Sequence, residues 1–251
     1  MRALCLVLFC LLSRSVATQV MVAQQDPPAA DATLALTCIQ NALGGSAAFA
    51  AVSSLYIKGE TKPSQGSDLR PIPSTREISV VFPDRYLRAE HPSRPGDSGF
   101  SSIVGFDKGV LLSSPRHPDA KLSEISAHQD FARQMLMRLP RKLARVRLLQ
   151  RVTSDSGRER LAIEASGADG FRATLLLDRG TCLPIALQYT PSGAAIGGVR
   201  RVDLSEYRPF GGVRFPTVLK TTVSGRPYHE ERVTTIELNT PTAAKAFAGR
   251  Q

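Results

Sequence analysis

Between residues 171 and 238, apolar and β-branched side chains alternate with polar ones, and helical spacing is almost absent. Five segments carry this pattern: 173–177, 183–190, 199–206, 213–223 and 232–238. Turn residues separate them: Asp178-Arg179-Gly180, Pro191-Ser192-Gly193, Pro209-Phe210-Gly211-Gly212 and Ser224-Gly225-Arg226-Pro227. Connections this short join antiparallel neighbours, because a parallel crossover needs about a dozen residues or more. The pattern therefore predicts a continuous antiparallel meander.

Upstream the periods are mixed. Leu34, Ile39 and Leu43, with Asp31 as N-cap and Gly44-Gly45 as a stop, predict a helix over 32–43, and 47–52 adds a helical turn. Residues 55–61 read as the first strand and 66–73 as a loop. Ile78, Val80 and Phe82 alternate until Pro83-Asp84-Arg85 interrupts the strand region 77–90, and 99–106 with 110–112 form a hairpin around Asp107-Lys108-Gly109. A period of 3.6 returns at Phe131, Met135 and Leu139, flanked by Ala132 and Leu136, predicting a helix of about three to four turns closed by Pro140. Residues 145–151 read as extended, and 160–164 opens the C-terminal strands. A long sheet flanked by two helices cannot be covered on both faces, so it must curl. The expected fold is mainly β (α+β): one antiparallel sheet curled into an unclosed half β-barrel, two helices across its concave side, and an aliphatic hollow beneath. No repeat or composition break divides residues 31–251, which read as a single domain.

Composition narrows the function. Trp is absent and aromatics make up 6% of the chain, so aliphatic residues fill the interior; this disfavours sites built on aromatic stacking, such as single-strand nucleic-acid platforms. Arg2, the apolar run 3–12 and Ser15-Val16-Ala17 read as a secretory signal over 1–17, with cleavage after Ala23 as the alternative. The apolar run is too short to anchor permanently in a bilayer. Residues 24–30 read as a Gln- and Pro-rich linker, leaving a soluble, exported monomer, periplasmic or secreted. The formal net charge of +10 falls to +8 when Arg2 and Arg14 leave with the signal. Such a chain suits an anionic membrane surface or an acidic envelope partner, and export argues against nucleic acid. Cys5 and Cys10 also leave, so Cys38 and Cys182 are expected to pair in an oxidising compartment, the alternative being two buried thiols.

Several segments together resemble a known group. Ala42-Leu43-Gly44-Gly45 is followed by Val52-Ser53-Ser54-Leu55-Tyr56-Ile57-Lys58-Gly59, then by Phe82-Pro83-Asp84-Arg85-Tyr86-Leu87-Arg88. Leu177-Asp178-Arg179-Gly180-Thr181-Cys182-Leu183-Pro184 forms a hairpin, and Tyr207-Arg208-Pro209-Phe210-Gly211-Gly212-Val213-Arg214-Phe215-Pro216 precedes the last strands. With the signal segment, this order resembles the periplasmic outer-membrane lipoprotein carrier and receptor (LolA/LolB-like) superfamily. The resemblance implies an unclosed barrel with helices across its mouth, a hydrophobic hollow for a lipid or lipoprotein acyl chain, no cofactor, and a carrier rather than an enzyme. An envelope scaffold or sensor that binds a protein without a small ligand is the competing reading.

The residues offer little chemistry for catalysis. Gly96-Asp97-Ser98-Gly99 lacks the context of a serine-protease motif, and His91, His117, His128 and His229 form no close metal spacing. His229 and Glu231 share one face of a strand expected at the surface. Alternation sets Ile78, Val80 and Phe82 on a face of one strand and Leu183, Ile185, Leu187 and Tyr189 on a face of another, with Phe131 and Met135 packed over them; these residues are the expected acyl-chain face, the alternative being a closed core. Arg138, Arg141, Lys142 and Arg145, interleaved with Leu139 and Leu143, form a basic patch read as facing a membrane or partner, the alternative being a solvated surface.

Overall fold

The computed structural model describes residues 30–31, 33–69, 71–93, 101–114, 119–140, 143, 146–155, 157–167, 170–191 and 197–249. The expected signal segment, and the expected linker up to residue 29, lie outside them. The order of elements is β1 (Ala30–Asp31), α1 (Thr33–Leu43), α2 (Ser46–Ala51), β2 (Ser54–Pro63), β3 (Ser74–Val81), β4 (Arg85–Pro92), β5 (Ser102–Asp107), β6 (Val110–Ser114), α3 (Ala120–Arg138), β7 (Val146–Asp155), β8 (Arg158–Gly167), β9 (Arg172–Leu177), β10 (Pro184–Tyr189), β11 (Arg200–Phe210), β12 (Val213–Val223), β13 (Arg226–Leu238) and α4 (Pro241–Lys245).

Among the described residues, all thirteen strands join one antiparallel sheet in the order β1-β7-β8-β9-β10-β11-β12-β13-β2-β3-β4-β5-β6. Two meanders, β7–β13 and β2–β6, meet where β13 pairs with β2, setting Leu238 opposite Leu55. The end strands β1 and β6 do not pair with each other. The molecule is thus the expected mainly-β, unclosed half-barrel.

Four helices occur among the described residues, rather than two. Helix α3 runs for 19 residues, longer than its apolar spacing predicted. Asp119 caps it, its carboxylate accepting from the Lys121 and Leu122 amides at 2.9 and 3.1 Å. The extra length was hidden because the buried positions of the first turns are small or polar, Ser123, Ala127, Gln129 and Asp130. Asp31, the expected N-cap of α1, instead lies in β1, opposite Leu149 of β7.

One main core joins α1, α2 and α3 to the concave face, with Ile39, Leu43, Phe49, Leu55, Met135, Leu136, Leu175 and Phe215 among its buried members. Cys38 of α1 is bonded to Cys182 in the β9–β10 turn, with Cα atoms 5.7 Å apart and 144 residues between them. Two glycines mark close backbone approaches. A Cβ on Gly44, at φ 129°, would stand 2.0 Å from the Gly212 carbonyl oxygen in the β11–β12 turn. On Gly105 of β5 it would stand 2.1 Å from the Tyr86 oxygen of β4. Gly105→Ala is expected to cost at least about 1–3 kcal/mol by urea unfolding, since backbone must move to accept the methyl group. Gly180→Ala, whose Cβ would find only an ordinary contact at 3.6 Å, is expected to stay within about 0.5 kcal/mol of the wild type.

Candidate functional site: a charged hollow in the half-barrel

Inward positions on adjacent strands change character along their length. On β2 they run Leu55, Ile57, Gly59 and Thr61; on β3, Val80, Ile78, Arg76 and Ser74; on β4, Tyr86, Arg88, Glu90 and Pro92. Register aligns the series, setting Leu55 against Val80 and Gly59 against Arg76, then Val80 against Tyr86 and Arg76 against Glu90. On β13, Ile236 is followed beyond a register shift by Val233, Glu231 and His229. One end of the concave face is therefore apolar and packed, and the other is polar.

The polar end opens into a hollow of about 530 Å³, within the range of small-molecule sites. Arg76, Arg88, Glu90, Asp130, Arg133 and Glu231 line its floor and roof. Arg76 pairs with Glu231 on β13, reaching past β2 beside the inward position of Gly59, and also with Glu90 at 3.3 Å. Arg88 donates to Glu90 at 2.8 Å and to Asp130 of α3 at 2.7 Å. Asp130 also accepts from the Tyr86 hydroxyl at 2.6 Å and lies 3.3 Å from Arg133. Ser74 donates to Glu90 at 2.7 Å. Arg138, at the end of α3, donates to Gln134 at 2.5 Å and stands 3.6 Å from Glu231. The network ties α3 to β4 through Asp130 and to β13 through Arg138.

Its electrostatics follow from burial and pairing. Burial alone would raise the Glu90 carboxyl, but Arg76 and Arg88 outweigh it and hold the group at about 2. Asp130 and Glu231 are also held below the usual carboxylate range, Asp130 by Arg88 and Arg133, Glu231 by Arg76 and Arg138, in each case against burial. Burial and the neighbouring Arg76 push His229 down to about 4, with Arg200 adding to them and Glu231 and Glu90 opposing. Its ring nitrogen lies 3.2 Å from the Thr221 hydroxyl. At neutral pH the carboxylates are ionised and His229 is neutral, an arrangement suited to holding a ligand and poorly suited to general acid–base catalysis. Among the described residues no group of three or more His, Cys, Asp or Glu side chains could hold a metal ion.

The structure redistributes the residues expected to meet an acyl chain. Ile78, Val80, Met135 and Leu187 are wholly buried in the core, and Phe82, Leu183 and Phe131 pack against it. Phe131 meets Tyr86 and Phe106, with ring centroids 5.3 and 5.6 Å away. Ile185 leaves the expected face: β10 shifts register between Pro184 and Ala186, and Ile185 joins a separate small cluster with Ala162, Leu176 and Ala186. Of the nine residues, Tyr189 lines the hollow. Apart from Ile185, the others belong to or pack against a filled core, because α1, α2 and α3 pack directly onto the apolar end. The basic patch also needs correction at Arg138, which is 1% exposed and turned inward to Glu231. Arg141, Lys142 and Arg145 have side chains outside the described set, as do the segment containing Gly96-Asp97-Ser98 and His117. Glu231, expected on a surface strand, is 3% exposed.

The residues that build the hollow were missed, although a signal existed. Ser74 and Arg76 share the parity of Ile78 and Val80, and Arg88 and Glu90 share that of Tyr86. Charges in register with a buried apolar face mark an inward polar site.

No protein-family description matches the chain, and no curated protein does either. Solved structures do. A DUF1329 family protein from Desulfovibrio piger aligns over 88% of this chain and 100% of its own, with a TM-score of 0.52 at 8% identity. A LolA superfamily protein from Nitrosomonas europaea aligns over 84% of this chain and 95% of its own, with a TM-score of 0.53 at 12% identity. An outer membrane lipoprotein-sorting protein domain from Vibrio parahaemolyticus aligns over 87% of this chain and 97% of its own, with a TM-score of 0.49 at 12% identity. The fold is LolA-like, as the sequence resemblance implied.

Two predictions follow from the network. Glu231→Gln leaves Arg138 buried without a carboxylate and is expected to cost about 3–5 kcal/mol by urea unfolding, whereas joint replacement of Arg138 and Glu231 by Met and Leu costs less than that single change. Stability is also expected to fall in acid in two stages. Below about pH 6.5 the unfolded chain protonates His229, which the folded chain refuses until about 4, so up to about 3 kcal/mol is lost across that window. Glu90 extends the loss from 4.5 down to about 2, because its carboxylate is stabilised in the folded state and must be protonated. His229→Gln should flatten the first stage; a wild-type curve already level from pH 6.5 to 4 would contradict this account.

Proposed function

We propose that the chain is an exported, non-catalytic binding protein that shelters an amphiphile, a lipid or the acyl part of a lipoprotein, in the hollow of its half-barrel. The observation that carries this reading is the open cavity of about 530 Å³ whose lining combines charged side chains with Leu69, Pro71, Ile72, Met137 and Tyr228. Ile72 is 43% exposed at the rim, an apolar side chain that a bound chain would cover. The Cys38–Cys182 bond fits an oxidising compartment, and a basic surface fits work close to anionic membranes. The expected aliphatic lining is replaced in this reading by the rim formed by the β2–β3 loop and α3.

Native mass spectrometry of the protein purified from its own cell envelope tests the proposal. A bound amphiphile is expected, and Ile72→Glu should cut its occupancy at least tenfold without changing the melting temperature. An empty chain held in a stable complex with another envelope protein would replace the carrier reading with the scaffold one.

A further inference from the structure

The charges around the hollow do not balance. Arg76, Arg88, Arg133 and Arg200 line it, against Glu90, Asp130 and Glu231. Each carboxylate is already shared between two guanidinium groups: Glu90 between Arg76 and Arg88, Asp130 between Arg88 and Arg133, and Glu231 between Arg76 and Arg138. Arg138 adds a fifth cation directly behind Glu231. His229 is neutral and offsets nothing.

The surplus falls on Arg200. It has no carboxylate within 4.0 Å among the described residues, and its buried Nε makes no hydrogen bond with them. Its position on β11 opposite Tyr189, on the same inward parity as Val202 and Leu204, aims it into the hollow. Its guanidinium lies 5.9 Å from the centroid of the Tyr228 ring. Across the same hollow Arg133 lies 4.9 Å from the Tyr189 ring centroid and keeps one long contact to Asp130, at 3.3 Å. A guanidinium held over an aromatic face is attracted by the ring without using up its N–H donors, which stay free for a ligand.

We propose that the hollow recognises its ligand through an anionic phosphate group held by Arg200 from the sheet and Arg133 from α3. A tetrahedral phosphate presents oxygens in several directions and carries more charge than a carboxylate, which suits it to cations arriving from a wall and a roof. A phosphate fills only a small part of the cavity, and the remaining volume adjoins Leu69, Pro71 and Ile72. The ligand thus enters head first, with its apolar chain toward the rim. This orientation rests on the amphiphile reading above; the phosphate site itself does not.

Titration calorimetry with short-chain lipids below their micellar concentration tests both. Dihexanoyl phosphatidic acid is expected to bind at least tenfold more tightly than dihexanoylglycerol, which carries the same chains and no phosphate. Arg200→Gln should abolish that preference and Arg200→Lys should restore part of it. Arg200 has no ion-pair partner among the described residues, so neither variant is expected to change the melting temperature, which is measured alongside. Inorganic phosphate should compete with the anionic lipid. Equal affinity for both lipids overturns the phosphate site and leaves the amphiphile reading standing. Arg200-dependent binding of inorganic phosphate with no binding of either lipid supports the phosphate site and overturns the amphiphile reading. Absence of all binding overturns both.

Discussion

The buried ion pairs between α3 and the sheet govern how this half-barrel is arranged. A curved sheet with one helix across its mouth can be closed by apolar packing alone, and the apolar end of this one is. At the other end α3 is fastened by charge, through Asp130 to Arg88 and Tyr86 and through Arg138 to Glu231. Buried charges tolerate little misplacement, because a guanidinium moved off its carboxylate stays desolvated without compensation. These contacts fix the position of the roof above the cavity, and they keep side chains there from collapsing into a continuous apolar core.

The same contacts explain why the concave face has two zones. Phe131 and Met135 pack onto the aromatic and aliphatic end, where space is filled. On the neighbouring face of the same helix, Asp130, Arg133 and Gln134 face the polar end, where arginines from β3, β4 and β11 converge. Space remains because the inward side chains there hold each other at fixed distances by hydrogen bonds and because Gly59 contributes no side chain. Its Cβ would meet the Arg232 carbonyl oxygen at 2.9 Å, so the close approach of β2 and β13 requires glycine at that point.

Much of the architecture was legible in the pattern of residues. Alternation and short turns marked the C-terminal strands, and Asp178-Arg179-Gly180 marked a turn that does separate β9 from β10. Reading the site was harder. Alternation tells which side chains share a face, and it correctly grouped Ile78 with Val80, but it does not tell whether that face is filled or hollow. It also fails at Ile185, where one extra residue sends the side chain to the opposite cluster. Arg138 followed by Arg141 and Lys142 resembles a solvated basic surface in sequence, and only a partner 93 residues away on β13 makes its first member a buried ion-pair residue.

The sequence alone determined the class of fold, since strand periodicity, turn chemistry and the shortage of helices leave a curled antiparallel sheet as the workable solution. It also determined the inward parity of the charged residues, because side-chain direction in a strand follows directly from position. Tertiary structure decided which charges meet, which apolar residues become core, and where empty volume survives. Those outcomes depend on contacts between elements far apart in the chain, such as Arg76 with Glu231, and no local rule encodes a distance of that kind.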